Sequence, residues 1–139
     1  MTRRPLVVAL IGLLGITGAC SRGATDLPPG DPGAGKQAFV NLGCYNCHDV
    51  AGGGLPAPSV TPAVELGGRT LLPPSDRRLQ EDILLPSSHF AVGYPTSQIM
   101  EGDRSKMPDY SKMLTRQQVA NLIAFLRSRY ERGLPSPTR

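Results

Sequence analysis

Residues 44–48 read Cys44-Tyr45-Asn46-Cys47-His48 and give the strongest chemical signal in the chain. Two cysteines separated by two residues and followed at once by a histidine form the attachment pattern of a c-type haem. The two thiols add to the porphyrin vinyl groups as thioethers, and the short spacing lets a single turn carry both. The histidine is then held beneath the ring, where its imidazole can ligate iron. The motif therefore predicts one covalent haem c, bound by Cys44, Cys47 and His48.

The same cysteine pair is compatible with two other chemistries. A thiol redox motif would need strands and helices alternating around it, and the sequence has no such pattern. A zinc site would need four ligands, and beyond the motif the chain offers only Cys20 and His89. The haem interpretation is therefore favoured over both.

The first nineteen residues have the composition of an export signal. Arg3 and Arg4 precede an apolar run from Leu6 to Ile16, and small residues follow the run. The run is shorter than the ~20 residues that a comfortable membrane span needs, although a short uncleaved anchor is an alternative. We expect residues 1–19 to be a lipoprotein-type signal peptide. Export fits the haem motif, because bacteria attach haem c outside the cytoplasm.

Thr17-Gly18-Ala19-Cys20 resembles the box of bacterial lipoproteins, in which the signal is cut before the cysteine and the cysteine carries lipid. The box usually has an aliphatic residue where this chain has Thr17. Lipidation accounts for the third cysteine, because a leftover Cys20 would otherwise be a reactive thiol in an exported protein. The alternative is a plain signal whose cleavage removes Cys20. We predict a lipid-anchored protein on the periplasmic, extracytoplasmic face of a bacterial membrane.

Net charge gives no reason to expect nucleic acid as a partner, and none is predicted. The full chain has 15 Lys and Arg residues against 11 Asp and Glu residues, a formal charge of +4. Loss of Arg3 and Arg4 with the signal leaves 13 against 11, or +2, and the haem propionates would bring this close to zero. The basic residues between 104 and 116 lie among the acidic residues Glu101, Asp103 and Asp109, which is at least as typical of a mixed solvated surface as of a docking patch.

The mature chain is long enough for one domain. Residues 20–32 are rich in Gly, Pro, Asp and Ser and are predicted to be a flexible tether, and residues 133–139 a disordered tail. Between them, residues 33–132 are predicted to form an all-α domain of short helices and long loops wrapped around the haem. With three Phe, four Tyr and no Trp, a core of side chains alone would be marginal, so the haem would form its centre.

Four helices are predicted from hydrophobic spacing and end signals. They cover residues 35–42, 76–85, 96–101 and a last segment that begins after Thr115. Thr115 and Gln118 have the spacing of a capping box. Apolar residues recur every three or four positions along this last helix: Val119, Leu122, Ile123, Leu126 and Tyr130. Residues 51–74 are rich in Gly and Pro, and no strand is predicted there.

The second axial ligand of iron is expected to be a methionine in a loop well after the motif. A thioether is a weak neutral ligand that raises the reduction potential, which suits an electron carrier. Met107 lies in such a loop, where Pro108 stiffens the backbone. Met113 is the main alternative, while Met100 is expected to pack against other side chains. His89 would instead give a bis-histidine haem of lower potential.

Over about residues 33–131 the chain resembles small monohaem c-type cytochromes of the mitochondrial-cytochrome-like class. The likeness rests on the helix before the haem motif, on Met107-Pro108 and on residues 122–126 of the last helix. Residues 79–94 are similar to cytochrome c domains associated with bacterial haem-copper oxidases. The positions that carry this second likeness are Ile83, Pro86, Gly93 and Tyr94.

The resemblance implies an electron carrier rather than an enzyme. Its expected partners are respiratory redox proteins: a haem-copper oxidase, a quinol-oxidising complex or a dehydrogenase. A proline carbonyl after the motif, here Pro58, is expected to accept a hydrogen bond from the free ring N–H of His48. The first and last helices are expected to cross at Gly35, Phe39, Leu122 and Phe125. Two alternatives stay open: a haem subunit of a periplasmic dehydrogenase, and an open-iron protein that binds a gas or peroxide.

Overall fold

The computed structural model describes residues 26–134. The predicted signal peptide, Cys20 and the last five residues lie outside this part of the chain. The described residues contain four α-helices: α1 (Pro32–Asn41), α2 (Asp76–Leu84), α3 (Thr96–Ile99) and α4 (Arg116–Arg127). A 3₁₀ turn covers Cys44–Asn46. Six very short strands complete the set: β1 (His48–Val50), β2 (Val64–Leu66), β3 (Gly68–Thr70), β4 (Met100–Glu101), β5 (Arg104–Ser105) and β6 (Tyr130–Arg132).

The strands form three separate pairs rather than one sheet. β1 pairs with β2 and β3 pairs with β6, both in parallel, while β4 and β5 form an antiparallel hairpin. The prediction that residues 51–74 contain no strand is therefore wrong, because β2 and β3 lie there. Strands of three residues are too short to show the alternation by which a strand is recognised in sequence, and their partners are distant in the chain. The helices and long loops still dominate, as predicted.

Helix α1 begins three residues before the predicted start. Asp31 is its N-cap, and the Asp31 carboxylate accepts a hydrogen bond from the N–H of Ala34. Pro32 is the first helical residue, a position where the missing N–H of proline costs nothing. Gly35 is buried against α4. The two helices are so close there that a Cβ on Gly35 would overlap the backbone carbonyl of Asn121.

The residues just before α1 also pack on α4. Gln117 donates a hydrogen bond from Nε2 to the Pro29 carbonyl at 2.9 Å, and Asn121 Oδ1 accepts from the N–H of Asp31 at 2.9 Å. Leu27 packs against the core. The folded domain therefore begins before residue 33. Residues 27–32, which were predicted to belong to the tether, are part of this domain. At the other end, the N–H of Gly133 donates to the Thr70 carbonyl at 3.0 Å.

Helix α4 supplies most of the core. Thr115 and Gln118 form the predicted capping box. The buried face of the helix consists of Val119, Ala120, Leu122, Ile123, Phe125 and Leu126. Tyr130 lies beyond the helix in β6, so its assignment to the helical stripe is wrong. The rings of Phe39 and Phe125 meet edge to face, with centroids 5.6 Å apart, which places an aromatic contact at the crossing of α1 and α4.

Helix α2 packs against α4 through Leu79 and Ile83, both buried. Ser75 caps the helix as predicted by accepting from the N–H of Arg78. Helix α3 is shorter than predicted, because the chain turns extended at residue 100 and enters β4. Within residues 26–134, no helix is both long enough and apolar enough to cross a membrane.

Candidate haem site

The two motif cysteines lie on one tight turn. Gly43 precedes it with φ of +70°, a left-handed conformation that glycine adopts without strain. The N–H of Cys47 donates to the Cys44 carbonyl at 3.2 Å and closes the turn. Cys44 is half-buried and Cys47 is exposed. The turn therefore presents two thiols at short spacing, as attachment to one porphyrin requires.

Residues 59–64 hold this turn in place through backbone hydrogen bonds. The Asn46 carbonyl accepts from the N–H of Ser59 at 2.8 Å, and the Cys47 carbonyl accepts from the N–H of Val64 at 2.9 Å. Backbone carbonyls that the turn leaves free are thus paired with residues 59 and 64. The haem motif and the start of β2 form one hydrogen-bonded unit.

The surroundings of the thiols do not fit a zinc site. Burial raises the pKa of Cys44 to about 11. Within the described residues, no three His, Cys, Asp or Glu side chains are grouped so that they could hold a metal ion. The structure thus supports the preference for haem over zinc.

His48 opens β1 and has one ring nitrogen committed to the protein. Its Nδ1 lies 3.3 Å from the Val64 carbonyl. A carbonyl can only accept, so Nδ1 carries the proton and the lone pair of Nε2 is free to bind iron. Burial lowers the pKa of His48, which favours the neutral imidazole that a metal needs. The Phe39 ring lies beside the imidazole, with centroids 6.3 Å apart.

The role predicted for Pro58 is filled by Val64. Parallel pairing of β1 with β2 places Val64 opposite His48, and this register brings the Val64 carbonyl to Nδ1. Pro58 instead precedes Ser59, which is bonded to Asn46. The proline-rich sequence gave no sign of this pairing, because β2 is only three residues long.

The candidate distal ligands differ in their surroundings. Met107 is half-buried, and its N–H donates to Ser105 Oγ at 3.1 Å. Met113 is 65 % exposed, and Met100 is half-buried in β4. His89 is exposed, with Nδ1 3.4 Å from the Asp82 carboxylate on α2. Met107 as the sixth ligand remains a prediction.

Tyr110 is a site residue that the sequence did not single out. It is 8 % exposed, and it is the one buried residue within 87–118, all of which the structure describes. Burial raises the pKa of Tyr110, and Cys44 and Cys47 lie close enough to its phenol group to raise it further. The available signal was an aromatic residue in an otherwise polar loop, three positions after Met107.

These residues fit a covalently bound haem: two cysteines lie on one turn, and the imidazole that follows them has Nε2 available. A family model described as Cytochrome c matches residues 33–129, which is more than half of the chain. The chain belongs to the cytochrome c family. No curated protein and no solved structure matched the chain. Membership confirms the predicted fold class and covalent haem c, and it makes one-electron transfer at the haem iron the function of this cytochrome.

Proposed function

We propose that this cytochrome is an exported, lipid-tethered carrier that passes single electrons between respiratory-chain components, for example to a terminal oxidase. His48 and Met107 would hold its haem iron. The observation that supports this proposal is the anchoring of the methionine loop: Tyr110 is buried near the motif cysteines while its neighbours are exposed or half-buried. Three residues span at most about 11 Å, so Met107 is confined to that distance from the buried Tyr110.

Met107 is also better fixed than Met113, the main alternative. The N–H of Lys106 donates to the Ile99 carbonyl at 2.9 Å, which extends the β4–β5 hairpin up to the methionine, and the N–H of Met107 is itself bonded to Ser105. Ordering a ligand in advance lowers the entropy that binding must overcome. Met113 is exposed, and its N–H donates a hydrogen bond to the Tyr110 carbonyl. Its side chain is therefore less well ordered in advance for binding iron.

Ligation by histidine and methionine leaves no open position at iron. It favours electron transfer over binding of a gas or peroxide, and the thioether raises the reduction potential. The partner would meet the haem edge beside the cysteines and the methionine loop. Such redox contacts are small and transient, which allows rapid exchange between donor and acceptor.

Lipid on Cys20 would hold the domain close to a membrane. Cys20 lies six residues before Asp26, a span of at most about 20 Å. Asp26 lies 3.2 Å from Arg116 at the start of α4, so the tether would leave from that end of the helix. Anchoring confines the search for a partner to the membrane surface and raises the effective concentration, and several acyl chains would be needed for a firm hold.

Absorption spectra of the holoprotein test the ligand assignment. The oxidised wild type is expected to show the weak band in the red that is typical of methionine bound to ferric iron. Met107→Ala is expected to lose this band and to bind carbon monoxide when reduced, while the matched control Met113→Ala keeps the band and excludes carbon monoxide. Loss of the band in Met113→Ala, or its persistence in Met107→Ala, contradicts the assignment. Oxidation of the reduced cytochrome by membranes containing a haem-copper oxidase tests the partner, and no oxidation argues against it.

A further inference from the structure

One peptide group in β2 links His48 to a tyrosine far along the chain. Its carbonyl belongs to Val64 and accepts from His48 Nδ1 at 3.3 Å. Its N–H belongs to Glu65 and donates to the hydroxyl oxygen of Tyr94 at 2.9 Å. The carbonyl and the N–H are the two ends of a single planar unit. Imidazole, peptide and phenol thus form one continuous chain of hydrogen bonds.

We propose that Tyr94 is a positioning residue for the histidine that ligates the haem iron. By accepting from the Glu65 N–H, the Tyr94 hydroxyl fixes the plane of the peptide and aims its carbonyl at His48. It also polarises the peptide, because hydrogen bonds in a chain strengthen one another. The Val64 carbonyl becomes a better acceptor, and the imidazole becomes more basic toward iron.

The fold holds this peptide group from both edges of β2. One edge is paired with β1, which begins at His48. The other edge faces Tyr94, which follows Gly93 at φ of +90°, a conformation that favours glycine. Gln98, four residues after Tyr94, donates from its side chain to the Pro62 carbonyl. Two side chains from one short segment therefore hold the stretch that leads into the Val64–Glu65 peptide.

Two roles for the Tyr94 hydroxyl make different predictions. A merely structural role, satisfying an N–H at a strand edge, would affect stability and leave the electronic properties of the haem unchanged. A positioning role transmits the change to the axial ligand, and hydrogen bonding to an axial ligand is one of the means by which proteins set a haem potential. The reduction potential therefore separates the two roles. The inference rests on the assignment of His48 as an axial ligand.

The test uses Tyr94→Phe in the intact holoprotein. This variant keeps the ring and removes the oxygen that accepts from Glu65. We expect its midpoint potential to be higher than that of the wild type, because a less basic imidazole stabilises ferric iron less. Tyr130→Phe is the matched control: Tyr130 is another half-buried tyrosine and lies in β6, outside this chain of hydrogen bonds, so its potential is expected to equal that of the wild type.

Proton NMR of the reduced form gives a second readout. The Nδ1 proton of His48 is expected to move upfield in Tyr94→Phe and to stay in place in Tyr130→Phe, since a weaker hydrogen bond shields the proton. Unchanged potential and Nδ1 resonance in Tyr94→Phe would overturn the inference, as would equal shifts in both variants. The wild type alone provides a check that needs no variant: slow hydrogen exchange at the Glu65 amide is expected, and rapid exchange would contradict the bond to Tyr94. A failure of the proposed iron ligands can be told apart from a failure of this inference, because the wild-type spectrum would then lack the features of histidine–methionine ligation.

Discussion

Gly35 of α1 lies directly against the backbone carbonyl of Asn121 on α4. The contact brings the two helices to backbone distance, and Asn121 extends it by accepting from the N–H of Asp31 through its side chain. One turn later, Phe39 and Phe125 meet at the same crossing. The Phe39 ring in turn lies beside the imidazole of His48. The crossing of α1 and α4 therefore determines where the proximal side of the haem site is placed.

Gly35→Ala is expected to lower the free energy of unfolding of the holoprotein by about 3 kcal/mol, because a methyl group at this crossing forces α1 away from α4. Gly33→Ala is the matched control, since Gly33 is an exposed residue of the same helix whose added Cβ would meet only the side chain of Asp31. Its effect is expected to stay within about 1 kcal/mol. Urea unfolding followed by far-ultraviolet circular dichroism measures both. Equal stability of the two variants would contradict the close crossing.

Thr115→Ala is expected to lower the free energy of unfolding by about 1 kcal/mol, because the N–H of Gln118 loses the side-chain oxygen that caps α4. Thr115→Ser keeps that oxygen and is expected to remain close to the wild type. The same urea titration compares them. A serine variant as unstable as the alanine variant would show that the hydroxyl is not what stabilises this helix end.

The elements that were predicted correctly are those with local signals. Ser75 and Thr115 begin α2 and α4 as expected, because a capping side chain and the N–H groups it serves are adjacent in sequence. The start of α1 was missed because a Gly- and Pro-rich stretch suggests a linker, although Asp31 and Pro32 are a cap and a first helical residue. Composition alone could not show that this stretch has α4 to pack on.

The missed parts of the site depend on contacts between distant residues. The acceptor for His48 was assigned to a proline, whereas the register of β1 with β2 gives that role to Val64. Tyr94 reaches β2 from 29 positions away, and the burial of Tyr110 near the thiols follows from the path of the loop. The motif residues themselves need no such information, because Cys44, Cys47 and His48 are adjacent in sequence.

Cys44→Ser and Cys47→Ser are each expected to keep haem covalently attached, because either remaining thiol forms one thioether. The double variant is expected to release its haem into acid-acetone, since no covalent bond remains. Extraction followed by absorption spectroscopy of both phases measures this, with the wild type as the fully retained control. Haem that resists extraction in the double variant would show attachment at another residue.

Cys20→Ser is expected to move the cytochrome from the membrane fraction to the soluble periplasmic fraction without changing its visible spectrum, because it removes the proposed lipid and leaves the haem site intact. Ser21→Ala is the matched neighbouring control and is expected to stay in the membrane fraction. Fractionation followed by haem staining measures the distribution. Membrane retention of Cys20→Ser would favour an uncleaved apolar anchor, and a soluble wild type would favour a plain cleaved signal.

Tyr110→Ala is expected to free the methionine loop, because it removes the one buried side chain within 87–118. Truncation of a large buried aromatic side chain lowers the free energy of unfolding by about 3 kcal/mol or more, and here part of that loss would appear as detachment of Met107 from iron. The variant is expected to lose the red absorption band and to bind carbon monoxide. Tyr110→Phe keeps the buried ring and loses only the hydroxyl, so its band should persist. A Tyr110→Ala protein that retains the band and excludes carbon monoxide would show that β4, β5 and Ser105 hold Met107 without the tyrosine.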